Sequence, residues 1–173
     1  MTGALVRDEA TGEQIVVHAR VVLSATGSDA NGDSLTYAWD LDNDGSFETA
    51  GQTPTYNAGD GPASPTVRVQ VSDGSATTVD EATVNISNVD PTATLSAPAN
   101  AFAGFPFTLS LTGASDPSAA DTAAGFQYAF DCGNGYGAFA TSSTATCTPT
   151  GTGALRVGGK IRDKDGGVSE YRA

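Results

Sequence analysis

The chain carries one pattern twice, and that repetition limits its possible folds more than any other feature. Leu35-Thr-Tyr-Ala-Trp-Asp40 returns as Phe126-Gln-Tyr-Ala-Phe-Asp131. Ser24-Ala-Thr-Gly27 returns as Ser110-Leu-Thr-Gly113, and Val71-Ser-Asp73 as Ile161-Arg-Asp163. The offset is 86 at the first pair, 91 at the aromatic motif and 90 at the last. Insertions therefore fall between the motifs. Self-similarity at this length predicts tandem domains, here 1–89 and 90–173, each large enough for a modest core.

The runs between the turns alternate with a period of two. They are Ile15 to Leu23, Leu35 to Trp39, Val67 to Val71, Thr83 to Ile86, Phe105 to Leu111 and Phe126 to Phe130. No window holds an apolar stripe of helical period for three turns. With 21 Gly and 8 Pro among 173 residues, the chain reads as all-β: two antiparallel sandwiches. Period two puts Leu35, Tyr37 and Trp39 on one face, with Trp39 as the central core residue of the first domain. Val67, Val69 and Val71 face the other sheet. Gly159 replaces the middle side chain of the second copy, which predicts a looser or bent strand there. Aligning the last strands pairs Val79 with Val168 and Glu81 with Glu170. Asn88 to Pro91 forms a short junction, in which Pro91 turns Asp90 away from helix. A linker this short predicts a semi-rigid rod. The second domain's closing strand reads as cut short at Tyr171-Arg-Ala173, leaving an edge that a neighbour's strand would fill. The whole reads as a piece of a longer protein.

The net charge of −12 speaks against nucleic acid as a partner, because phosphate binding needs a basic field. The acidity is uneven: 13 acidic and 3 basic residues up to position 89, against 7 and 5 after it. That imbalance fits either divalent cation binding in the first domain or a solvated acidic surface. No signal peptide, membrane span or lipid attachment motif is present. His18, the single histidine, has no partners for a zinc cluster or a triad. Neither a Gly-x-Ser-x-Gly elbow nor a phosphate-binding glycine loop occurs, so the chain is read as noncatalytic.

Taken together, Ser24, Gly27, Asp29, Asn31-Gly-Asp33, Leu35-Thr-Tyr-Ala-Trp-Asp40, Val67 to Asp73 and Ala82 to Ile86 resemble the polycystic kidney disease (PKD) family of immunoglobulin-like domains. The second copy is more divergent. Phe130 stands for the Trp, an Ala-rich insertion fills Ser118 to Gly125, and the acidic turn is lost. The resemblance implies extracellular, noncatalytic repeats of bacterial and archaeal surface or secreted proteins. Such repeats serve as spacers or in contact with protein and polysaccharide, and some bind calcium.

Asp40-Leu-Asp-Asn-Asp-Gly45 is the sharpest chemical feature. Asp40, Asp42 and Asp44 place oxygens at alternate positions of a tight turn, as Ca²⁺ requires, and Glu48 would close the shell. The same turn equally reads as a hairpin closed by carboxylates bonded to backbone N–H groups. Asp29 and Asp33, with Asp73, which the resemblance implies lies at the same end of the sandwich, form a second acidic set open to the same two readings. Cys132 and Cys147 occupy the places of Leu41 and Tyr56 in the first copy, which predicts a disulfide and an oxidising compartment. Tyr136 and Phe139 are the candidates for an exposed aromatic binding surface. The expected role is a noncatalytic extracellular or cell-surface spacer, stalk or adhesive module, next to other domains of its own polypeptide. The alternatives are a module that binds extracellular glycan or protein, or a strand-exchanging subunit that assembles with like subunits.

Overall fold

The computed structural model describes residues 7–8, 15–16 and 20–173, and their side chains from Arg20 onward. His18 lies outside the described residues. The chain divides into two compact units, Met1–Ser87 and Asn88–Ala173. Among the described residues, no helix is long and apolar enough to cross a membrane.

The first unit has two facing sheets. One has the order β1-β3-β6, from Arg7–Asp8, Arg20–Ser24 and Thr55–Asn57. The other has the order β5-β4-β7-β8, from Thr49–Ala50, Thr36–Asp40, Thr66–Ser72 and Thr77–Thr83. A short parallel pair, β2 (Ile15–Val16) with β9 (Ile86–Ser87), ties the early chain to the end of the unit. This order is that of an immunoglobulin-like sandwich. Its core joins Val21, Leu23 and Ala25 from one sheet to Trp39, Val67, Val69 and Val71 from the other. Strand β7 alternates strictly between buried Val and half-buried polar residues, as a strand with one face in the core must. Trp39 is fully buried, and its indole N–H donates to the Gly51 carbonyl at 2.8 Å. A buried indole needs such an acceptor.

The second unit repeats the plan. Its sheets are β10-β11-β13 (Thr92–Ser96, Phe107–Ser115, Thr144–Cys147) and β12-β14-β15 (Gln127–Asp131, Gly158–Arg162, Val168–Arg172). Phe130 lies opposite Gly159 as Trp39 lies opposite Val69. The expectation of a loosened strand at Gly159 is not met. Gly159 is buried, and a Cβ built on it would meet Leu111 at 3.0 Å and Leu95 at 3.1 Å. The space that Val69 fills in the first unit is filled here from the opposite sheet. Leu111 donates its N–H to Ser143 O as Ala25 does to Gln52 O, so Leu111 occupies the place of Ala25. The two units thus exchange large and small residues across the same gap, which preserves core volume.

One further reading is corrected. The hydrogen-bond register sets Val168 opposite Arg162, as Thr77 is opposite Ser72. Val168 is therefore equivalent to Thr77 and not to Val79. The second hairpin loop is one residue longer, and a sequence alignment absorbs that by sliding the strand. The Ala-rich insertion forms a helix, α1 (Ala119–Ala124). Ser118 caps it by accepting the N–H groups of Ala120 and Asp121, and Gly125 ends it at φ 80°. A side-chain oxygen at this position satisfies donors that the first turn leaves open.

Candidate functional site

The acidic turns are built alike. Asp40 ends β4 and is fully buried. Its two carboxylate oxygens accept the N–H of Asp44 at 3.2 Å and of Gly45 at 3.0 Å. The loop can curl back because Asn43 and Gly45 adopt φ of 60° and 94°, a region open to glycine and, less readily, to asparagine. Asp44 in turn accepts Ser46 N–H at 2.7 Å. In the second unit the turn keeps this construction although it has lost its other acids. Asp131 accepts the N–H groups of Gly133 and Gly135, both at 2.8 Å. Asp29 accepts those of Asn31 and Asp33, Asp73 those of Ser75 and Ala76, and Asp163 those of Asp165 and Gly167. For Asp73 the Ala76 and Ser75 N–H groups lower the carboxyl pKa. For Asp131 the Gly133 N–H does so first, helped by Gly135 and Arg172 and opposed by burial.

Asp40, Asp42 and Asp44 bring carboxylate oxygens within 4.8 Å of one another, close enough to coordinate a metal ion. The donor set is all oxygen and suits a hard cation. The fit is partial, since Asp40 and Asp44 already serve backbone donors and only Asp42 and Asp44 are exposed. Glu48 is not a member of that group, nor are Asp29, Asp33 and Asp73. The strand register explains the separation. Thr36 pairs with Ser72 and Asp40 with Arg68. Asp29, Asp33 and Asp73 therefore share one end of the sandwich, and Asp40 lies at the other.

Cys132 and Cys147 form a disulfide with 5.4 Å between their Cα atoms. It joins the chain just after β12 to the end of β13, hence one sheet to the other. Cys147 is buried beside Leu109 and Val157. Tyr136 and Phe139 do not form an open aromatic platform, for both are half-buried on the outer face of the second sheet. The Tyr136 ring lies between Lys160 Nζ, 4.4 Å from its centroid, and the Arg172 guanidinium at 4.7 Å. Arg162 covers Phe139 at 4.2 Å. Two of these cations are themselves paired: Lys160 and Arg172 with Glu170, and Arg172 also with Asp131 at 2.8 Å. Burial, then the Glu170 charge, pushes the Tyr136 phenol up to about 12.

One feature escaped sequence reasoning. Asn88 Nδ2 donates to Asp163 Oδ2 at 2.8 Å, and Asp90 accepts Val168 N–H at 3.1 Å. Pro91 is fully buried. Gly167 sits so close that a Cβ there would lie 2.4 Å from the Asp163 carboxylate and 2.6 Å from Asn88. The β14–β15 turn thus clasps the segment that leads into the second unit. The available signal was Asp163 followed by Gly166-Gly167, although sequence does not say what the turn grips.

No model of a known protein family matches the chain, PKD models included, and no curated protein matches it in sequence. Among solved structures, the fibronectin(III)-like modules of Clostridium thermocellum CbhA align at 14% identity and a TM-score of 0.42, over 98% of this chain and 91% of that one. Extracellular domains 3–5 of Drosophila OTK align at 13% and 0.45, over 92% of this chain and 56% of that one. The three N-terminal domains of the outer capsid protein Hoc of bacteriophage RB49 align at 17% and 0.37, over 92% and 55%. The chain spans about half the length of these last two. Strand order and register carry the fold assignment: two tandem all-β sandwiches of immunoglobulin or fibronectin type III kind.

Proposed function

We propose that the chain is a noncatalytic spacer or stalk segment of an extracellular or cell-surface protein, built from two domains of PKD type. The observation that carries this reading is the tandem repetition of one sandwich plan, with the sheet order β5-β4-β7-β8 in the first unit and β12-β14-β15 in the second. Repetition of one module is the construction of spacer arrays. The disulfide supports an oxidising compartment. Small-angle scattering tests the reading. The native chain is expected to scatter as one stiff, elongated particle at every concentration, and a Gly-Ser insertion between Ser87 and Asn88 to broaden the distance distribution. Identical profiles with and without the insertion would refute it.

Calcium at Asp40, Asp42 and Asp44 is a second reading, supported by the 4.8 Å grouping of their oxygens. Under it, excess calcium raises the melting temperature of the first unit relative to chelator, and Asp42→Asn abolishes the rise. The adhesive alternative, with a polysaccharide or protein ligand, draws on the Tyr136 and Phe139 face. Its ligand would have to displace Lys160, Arg162 and Arg172 from the rings, and saturable binding to a glycan array that Tyr136→Ala removes would establish it.

A further inference from the structure

The sequence holds two Asn-Gly pairs, Asn31-Gly32 and Asn134-Gly135. All four residues are exposed, and both glycines have a left-handed φ, 82° at Gly32 and 99° at Gly135. Each pair follows an aspartate that closes its turn, Asp29 in the first unit and Asp131 in the second. Solvent access and local sequence therefore do not tell the pairs apart. Their hydrogen bonds do. Asp131 Oδ1 accepts the Gly135 N–H at 2.8 Å. Asp29 Oδ1 accepts the N–H groups of Asn31 at 2.8 Å and Asp33 at 3.2 Å, and passes over Gly32 between them. Among the described residues no acceptor takes the Gly32 N–H.

The backbone nitrogen that follows an asparagine can attack the side-chain amide before it. Glycine offers the least obstructed nitrogen for this, because it has no Cβ beside the closing ring. What then decides the rate in a folded chain is whether that nitrogen is free to lose its proton and turn.

We propose that Asn31 is a self-modification site, converted to aspartate and isoaspartate through a succinimide, and that Asp131 protects Asn134 from the same reaction. The Gly32 nitrogen loses its proton to hydroxide and forms a bond to Asn31 Cγ. The Cγ–Nδ2 bond breaks, and Nδ2 takes a proton from water and leaves as ammonia. Water opens the five-membered imide at either carbonyl. The net change is one water taken up and one ammonia lost, with nothing oxidised or reduced. At Gly135 the proton would have to leave beside a carboxylate 2.8 Å away. The negative charge opposes that loss, and the nitrogen would also give up a charge-assisted bond. One product at position 31 sets a third carboxylate between Asp29 and Asp33. The other adds a main-chain carbon between the two N–H groups that Asp29 holds. The negative charge of this turn therefore grows with the age of the protein. The inference rests on the two turns alone and stands apart from the spacer reading.

The test incubates the full, disulfide-intact chain at mildly alkaline pH, beside a reduced sample in denaturant, and follows both sites by peptide mass mapping. In denaturant the two sites are expected to convert at similar rates. In the native chain Asn31 is expected to convert, with isoaspartate among its products. Asn134 is expected to be about tenfold or more slower, the effect of one hydrogen bond to a charged group. In Asp131→Asn, under conditions where the second unit keeps its native exchange protection, the ratio is expected to narrow. Equal native rates at the two sites, faster conversion at Asn134, or an unchanged ratio in folded Asp131→Asn would overturn the proposal.

Discussion

The exchange of Val69 and Ala25 for Gly159 and Leu111 can be tested by undoing it. Gly159→Val alone introduces a Cβ 3.0 Å from Leu111 Cδ1 and Cγ and 3.1 Å from Leu95, before its two methyl groups are counted. Overpacking of this kind costs about 1–3 kcal/mol. Gly159 has no left-handed φ, so backbone strain does not contribute, and a β-branched residue suits a strand. Leu111→Ala alone empties a buried site and costs about 2–5 kcal/mol. If the two were independent, the double variant would lose about 3–8 kcal/mol. The first unit already houses Val69 and Ala25 together, both fully buried. The double variant should therefore be more stable than Leu111→Ala alone, with a favourable coupling of about 1–3 kcal/mol. Leu95 remains beside position 159, so some cost persists. Hydrogen exchange under denaturant reads the second unit. Fluorescence of Trp39, the single tryptophan, reads the first and should not change. Additivity within about 0.5 kcal/mol would refute the reasoning, because the two positions would then not share one volume.

Reduction of Cys132–Cys147, separated by 15 residues, should cost the second unit about 3 kcal/mol by the chain-entropy argument; loss of exchange protection in β11 to β14 with β3, β4 and β7 unchanged is the expected readout. Asp40→Ala leaves two backbone N–H groups without their buried acceptor and should destabilise the first unit by about 2–3 kcal/mol in denaturant titration, whether or not calcium is present. The lowered pKa of Asp131 means its contribution is complete above the unfolded value of about 4 and is lost as pH falls through the folded value; Asp131→Asn should flatten the acid limb of the second unit's stability. Tyr136, raised to about 12, should give an absorbance step near pH 12 in an alkaline titration that Tyr136→Phe removes, and its contribution, whole below pH of about 10, should be lost as pH rises through 12.

What the sequence revealed follows from physical range. Strand β7 was legible because alternation over seven residues is local, and the burial of Val67, Val69 and Val71 follows from the pleat. The burial of Trp39 followed in the same way. The Gly159–Leu111 exchange was not legible. Each residue alone breaks the pattern, and the compensation acts between strands far apart in the chain. Helix α1 has only six residues and no apolar stripe, so Ser118 with Asp121 was its one signal. Strands as short as Thr55–Asn57 leave no period to read. At the acidic turn, sequence left cation binding and hairpin closure open, because Asp-x-Asp-Asn-Asp-Gly supplies the same atoms for both. The deciding quantity is where the backbone N–H groups of Asp44 and Gly45 point, and that is set by the positive φ of Asn43 and Gly45.

The carboxylate turns also change what the acidity means. Asp29, Asp40, Asp73, Asp131 and Asp163 each take two N–H groups of their own turn. A carboxylate is an acceptor with no donor to satisfy, and its bonds to N–H are charge-assisted. Aspartate is therefore the efficient closure for a turn whose donors converge, and a chain with this many turns accumulates negative charge without any ligand. The second unit shows that the closure survives when the surrounding acids are gone, since Asp131 clasps Gly133 and Gly135 with no acidic neighbour inside the turn. In the first unit, what sets a cation-binding role apart from this shared device is Asp42, whose exposed carboxylate lies beside the other two. Asp42→Asn should accordingly leave stability in chelator unchanged, while Asp40→Ala lowers it. A loss of stability in chelator from Asp42→Asn as large as that from Asp40→Ala would show that the loop works as one structural unit and that its charge has no separate purpose.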